Sequence, residues 1–171
     1  MTPTSVGRIL GSREAAVVKE RFGRRKTATT VELAALAEGL LRYIDTGPLN
    51  RVTSRQVRAR DVAAVAAMVL TAWPVDRVLQ MERSEVHRLA ICEHKNPALD
   101  QYMKPVLSEA VTCADLLWRS RAGIAEAGPF FVAHRGKGLN LRGPAQALRK
   151  AMDGFDDRLP RRPCVFFDVT E

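Results

Sequence analysis

The sequence predicts a mainly helical domain with a small antiparallel β-hairpin. Three observations carry that expectation. A capping-box spacing, Thr29 and Glu32, precedes apolar residues at helical period. A second apolar stripe runs from Val62 to Trp73 and meets Pro74. Two short segments, His87 to Lys95 and Gln101 to Val106, flank Asn96-Pro97 and read as paired strands.

Taken in order, Thr2 to Ser12 forms a loose start. Ser12 can cap a short helix through Ala15, Val18 and Phe22 that Gly23 would end. Lys19, Arg21, Arg24, Arg25 and Lys26 crowd its C-terminal end, where they complement the helix dipole or form a basic arm. In the next helix Leu33, Leu36, Ala37, Leu40, Leu41 and Ile44 share one face, and Asp45-Thr46-Gly47-Pro48 stops it. Thr53 or Ser54 starts a third helix, whose apolar part carries Val62, Val65, Ala66, Val69, Leu70 and Trp73. Pro74 ends or kinks it, and a short helix, Val75 to Met81, follows.

After the expected hairpin, Ser108 caps a helix carrying Val111, Ala114, Leu117 and Trp118. Phe130-Phe131-Val132 reads as a short buried strand, followed by the loop Arg135-Gly136-Lys137-Gly138. Pro144 opens a final helix with Leu148 and Met152 inward and Gly154 behind. Cys164 to Val169 reads as one more strand, lacking a sequence-adjacent partner and suited to a neighbouring subunit's sheet edge. These divisions give a basic arm at 1–28, a helical domain with a hairpin at 29–154 and a tail at 155–171.

Lys and Arg total 27 against 19 Asp and Glu, a net charge of +8, and 21 of the 27 are arginine. Guanidinium forks match phosphate oxygens, so this balance fits a polyanion, although a GC-rich coding sequence also raises Arg and Ala. Arg51, Arg55 and Arg58 recur at i, i+4 and i+7, with Arg60 adjacent; Asp45 and Asp61 are the only close carboxylates. An exposed stripe of this kind calls for an anionic partner. Arg77, Lys95, Arg135, Lys137 and Arg142 complete the expected nucleic-acid contacts.

The order of elements from about Thr29 to Met152 resembles the first two thirds of a tyrosine recombinase (phage integrase) catalytic domain. RARDVAAVAAMVLTAWPVDRVLQMERSEV, Arg58 to Val86, is similar to that family's long helix, sharp turn and short helix. His94-Lys95 and Gln101 to Glu109 resemble its β-hairpin, and Gly128 to Ala151 resembles the stretch that introduces the next DNA-facing helix. The resemblance implies DNA cleavage and rejoining by a tyrosine, with arginines, a lysine and histidine-type groups stabilising the phosphate.

The sequence departs from that pattern where the chemistry lies. Pro74 stands at the first arginine position, and Arg77 lies three residues on. Lys95 or Lys104 falls in the hairpin lysine's region, no histidine follows Met152, and the two tyrosines, Tyr43 and Tyr102, lie far upstream of the nucleophile's place. The expectation is a non-catalytic protein touching duplex DNA through its phosphates. A helical self-assembling, partner-binding or nucleic-acid-coating module is the alternative, with a homo-oligomer or a related recombinase as further partners.

Other constellations carry less. Cys92 and His94 lack a second ligand pair, so no metal is expected, and no cofactor motif is present. Glu82 and Glu85 read as surface ion pairs with Arg83 and Arg88, Asp156-Asp157 as a loop, and Trp73 and Trp118 as core residues. Three widely spaced cysteines argue against a disulfide framework. No apolar run nears the ~20 residues of a membrane span, and Met1 to Gly11 lacks the pattern of a secretory leader. A cytoplasmic protein is the expectation.

Overall fold

A computed structural model describes residues 25–46, 52–119, 128–132 and 141–169. Among them are six α-helices: α1 Thr30–Ile44, α2 Val52–Thr71, α3 Val75–Val78, α4 Arg83–Ile91, α5 Pro97–Arg119 and α6 Arg142–Ala151, followed by a 3-10 turn Pro163–Phe166. The chain is mainly helical, and no β-strand occurs among the described residues.

Helix α2 is the centre. Every residue from Ala59 to Leu70 is buried, and α2 touches each of the other elements, α5 most extensively. From Val62 to Leu70 α2 is apolar all round, which marks a core helix. Ala59, Ala63, Ala64, Ala66 and Ala67 let neighbouring backbones come close on several sides.

Helix α1 starts as its sequence requires. The Thr29 hydroxyl accepts the Glu32 N–H at 3.2 Å, and the Glu32 carboxylate accepts the Thr29 N–H at 2.9 Å. The same carboxylate takes the Arg25 guanidinium, which also reaches Asp156 at 3.5 Å. Arg25 thereby ties the chain before α1 to the tail, and its hydrogen bond holds the Glu32 carboxyl below the usual range. Leu33, Leu36, Leu40 and Ile44 face the core. Gly39 meets α6 so closely that an added Cβ would collide with the Ala151 carbonyl.

Helix α2 ends at Thr71, three residues before Pro74. Ala72 takes a left-handed conformation (φ 60°), and the Thr71 hydroxyl accepts the Trp73 N–H at 3.1 Å. Pro74 disfavours helical conformation at Trp73 and serves as the N-cap of α3. The short helix expected to reach Met81 closes at Val78, with a turn beyond it.

The expected hairpin is absent: His87 to Ile91 lie in α4, Cys92 to Lys95 in the turn after it, and Gln101 to Val106 in α5. Buried Val86 and Leu89 stand three apart, and Leu99, Met103, Val106, Leu107 and Ala110 follow helical spacing. Asn96-Pro97 begins a helix instead of joining strands: Asn96 Oδ1 accepts the Ala98 N–H at 3.0 Å and Pro97 takes the first helical position. Ser108 is exposed inside α5 and caps nothing, because the helix already started at Pro97.

Two other expected strands also fail. Phe130 and Phe131 are buried, yet they follow a single antiparallel bridge between Glu82 and Pro129. The tail turns at Pro163–Phe166 with adjacent Val165 and Phe166 both buried, which an alternating strand does not do. The Val165 carbonyl accepts the Ala28 N–H at 2.7 Å, so the tail packs on its own domain. Glu85 accepts the Glu82 N–H at 3.0 Å, so the two also form a helix-start pair. Asp156 is an organiser of the loop, held down to about 2 chiefly by the Arg158 side chain. The arm before Arg25 and the helix expected in it lie outside the described residues. None of the described helices is long and apolar enough to cross a membrane.

Candidate nucleic-acid interface

The arginine stripe on α2 is largely taken up by the fold. Arg55 Nε donates to Asp45 at 2.8 Å and its Nη1 reaches Cys113 Sγ at 3.0 Å. Arg58 Nε donates to the carbonyls of Tyr43 and Ile44 at 3.0 and 3.1 Å, satisfying the open C-terminal end of α1. Arg60 is buried, pairs with Asp61 at 3.2 Å and donates to the Val132 carbonyl at 2.9 Å. The two carboxylates that the sequence places nearby are the two that are used. An unneutralised stripe is therefore the wrong description of Arg55 and Arg60. Arg51 lies outside the described residues.

The remaining nominated cations are scattered. Arg77 is exposed and stacks over the Trp73 ring, 3.7 Å from its centroid. Lys95 is exposed in the α4–α5 turn, and Arg142 is exposed at the start of α6. Arg135 and Lys137 lie outside the described residues.

Helix α6 gathers a basic face that the sequence reading passed over. Gly143, Pro144, Ala147, Leu148 and Ala151 point inward. Arg142, Gln146, Arg149 and Lys150 are exposed, and the helix contains no acidic residue. Arg149 and Lys150 make no ion pair among the described residues. The spacing i, i+4, i+7, i+8 counted from Arg142 was the signal available in the sequence.

The inner side of α6 explains how the face is presented. A Cβ on Gly143 would stand 2.7 Å from both carboxylate oxygens of Asp61, so with glycine the first turn of α6 settles on that buried group without displacing its side chain. Burial pushes the Asp61 carboxyl up to about 6, against the lowering pull of Arg60. Gly39 provides the second close approach, at Ala151. The two glycines fix both ends of α6 and leave its basic side outward.

A polar cluster sits apart from this face, at the α4–α5 turn. His94 Nδ1 lies 2.6 Å from Asp100 Oδ1, and Cys92 Sγ lies 3.8 Å from His94 Nε2. Lys104 Nζ donates to the Cys92 carbonyl at 2.9 Å. No group of three side chains suited to a metal ion occurs among the described residues. The sequence paired Cys92 with His94 but left Asp100 in the junction between two expected strands, apart from them.

No family model, curated protein or solved structure matches the chain.

Proposed function

We propose that this chain is a non-catalytic protein that contacts DNA through backbone phosphates, using the exposed face of α6. The observation carrying the proposal is the row Arg142, Gln146, Arg149 and Lys150 on a helix without acid. Arginine and lysine on one helical face match the phosphate row of a duplex, and glutamine can bond a base edge or a phosphate. The likeness to tyrosine recombinases rests on the long helix, sharp turn and short helix formed by α2, Ala72–Pro74 and α3. The reading is non-catalytic because Pro74 stands at the arginine position and Tyr43 and Tyr102 lie in α1 and α5.

The test is duplex affinity against salt. Each neutralised phosphate contributes about 0.9 to the slope of log K against log salt. Arg149→Ala with Lys150→Ala should therefore flatten the slope by about 1.8. Arg88→Ala, an exposed cation on α4, serves as the control. A slope unchanged in the double variant overturns the proposal.

A second reading, a partner-binding module, is favoured by a different observation. An apolar cavity of about 540 Å³ opens between Met68, Trp73, Leu148 and Phe167, with Arg162 and Cys164 at its edge. Several bulky apolar side chains from an acidic partner segment would fit in it. Light scattering distinguishes the readings: a salt-insensitive assembly supports the second, and a monomer that binds DNA supports the first.

A further inference from the structure

The α4–α5 turn holds three groups in a chemically meaningful order. Cys92 caps the end of α4, where its N–H donates to the Arg88 carbonyl at 2.9 Å. Asp100 stands in the first turn of α5 and grips His94 twice. Its carboxylate accepts the His94 backbone N–H at 3.0 Å and faces ring Nδ1 at 2.6 Å. In a neutral imidazole, a proton held on Nδ1 by that carboxylate leaves Nε2 as the acceptor. Nε2 is 3.8 Å from Cys92 Sγ, which stands equally far from the Leu89 carbonyl, a second acceptor for its S–H. A thiol, an imidazole and an orienting carboxylate in this sequence form the arrangement that activates a nucleophile.

We propose that Cys92 is a primed thiol that reacts with hydroperoxides and small electrophiles, with His94 as its base and Asp100 as the group that positions the base. In the step with a hydroperoxide, the thiol proton passes to Nε2 and the sulfur attacks the terminal peroxide oxygen. The S–O bond forms and the O–O bond breaks. The departing alkoxide takes the proton from Nε2 and leaves as an alcohol. Sulfur is oxidised by two electrons to a sulfenic acid, and the peroxide is reduced by two.

The surroundings fit such a role. The imidazole is shielded, its side chain 11% exposed, while Cys92 is half-buried and reachable. The charged groups of this corner are Arg88 on α4, Glu93 and Lys95 in the turn, and Asp100 and Lys104 on α5. Helix α2, which also packs on α4, carries no charge from Val62 to Thr71. Lys104 places a cation beside the Cys92 carbonyl and 3.8 Å from Asp100. That cation satisfies one of the open carbonyls at the C-terminal end of α4. The other cysteines differ. Cys113 is buried, with its thiol pushed up by burial, and Cys164 is exposed on a segment, 141–169, without histidine.

Cys164 is therefore an internal standard. The full chain is treated with iodoacetamide between pH 5.5 and 8.5, and each cysteine is followed by mass spectrometry. At pH 6 Cys92 should alkylate about tenfold faster than Cys164, despite being less exposed. His94→Gln should remove that advantage, and Asp100→Asn should reduce it. Hydrogen peroxide with a sulfenic-acid trap should label Cys92 first. Equal or slower alkylation of Cys92 at every pH, or an unchanged rate in His94→Gln, overturns the proposal. Labelling of buried Cys113 in a variant would reveal unfolding. In that event a Cys113→Ser, Cys164→Ser double variant is treated with hydrogen peroxide and the sulfenic-acid trap. Label on Cys92 supports the proposal, and its absence overturns it.

Discussion

Lowering the pH from 7 to 5 should make this protein more stable, through Asp61. The carboxyl is buried beneath the first turn of α6 and pushed from 3.8 to about 6 by loss of water, with Arg60 opposing. A folded value above the unfolded one means the native state holds a proton that the unfolded chain has released. Stability is thus greatest below the unfolded value and falls as pH rises from about 4 to about 6. The displacement corresponds to roughly 3 kcal/mol in full, of which about 1.3 kcal/mol lies between pH 5 and 7. Glu32, Asp100 and Asp156 have lowered values, so their contributions are present above the ordinary carboxylate range and lost only below it. The window from pH 5 to 7 is therefore governed by Asp61 among the described carboxylates. Urea denaturation reads the effect as a midpoint higher at pH 5 by about half to one molar. Asp61→Asn removes the charge and should abolish the difference, whatever its effect on absolute stability. A wild-type midpoint that is flat, or that follows the same slope as Asp61→Asn, refutes the reasoning.

Three further outcomes follow from the packing. Gly39→Ala should lower stability by about 1–3 kcal/mol by forcing α1 away from Ala151, and an unchanged melting temperature would contradict that close approach. Phe166→Ala should cost about 3–5 kcal/mol in equilibrium unfolding, because the ring is wholly buried; a loss under 1 kcal/mol would mean that the tail does not belong to the core. Thr29→Ala should cost about 1 kcal/mol, read by thermal unfolding, and Thr29→Ser should restore most of it.

The helices with long, regular apolar spacing were legible in the sequence. The start of α1, the buried stripe of α2 and the inward side of α6 stand where periodicity put them. The hairpin was misread for a physical reason. Short segments around Asn96-Pro97 fit a strand junction or a helix start equally well, and only the buried register of Leu99, Met103 and Leu107 chooses the helix. The same misreading hid the Cys92, His94 and Asp100 cluster, since it needs Asp100 folded back over the turn. The basic face of α6 was readable, yet the denser run of arginines before α2's apolar half drew the assignment.

By itself the chain determined its helical character, the centre of its core and its excess of arginine, because these depend on composition and on spacing along one segment. Only the tertiary structure decided which arginines remain outward. Pairing is a matter of distance between groups far apart in sequence: Arg55 meets Asp45 and Cys113, Arg58 meets the end of α1, and Arg60 meets Val132. Arg149 and Lys150 stay in water because Gly39 and Gly143 draw the opposite side of their helix against the core.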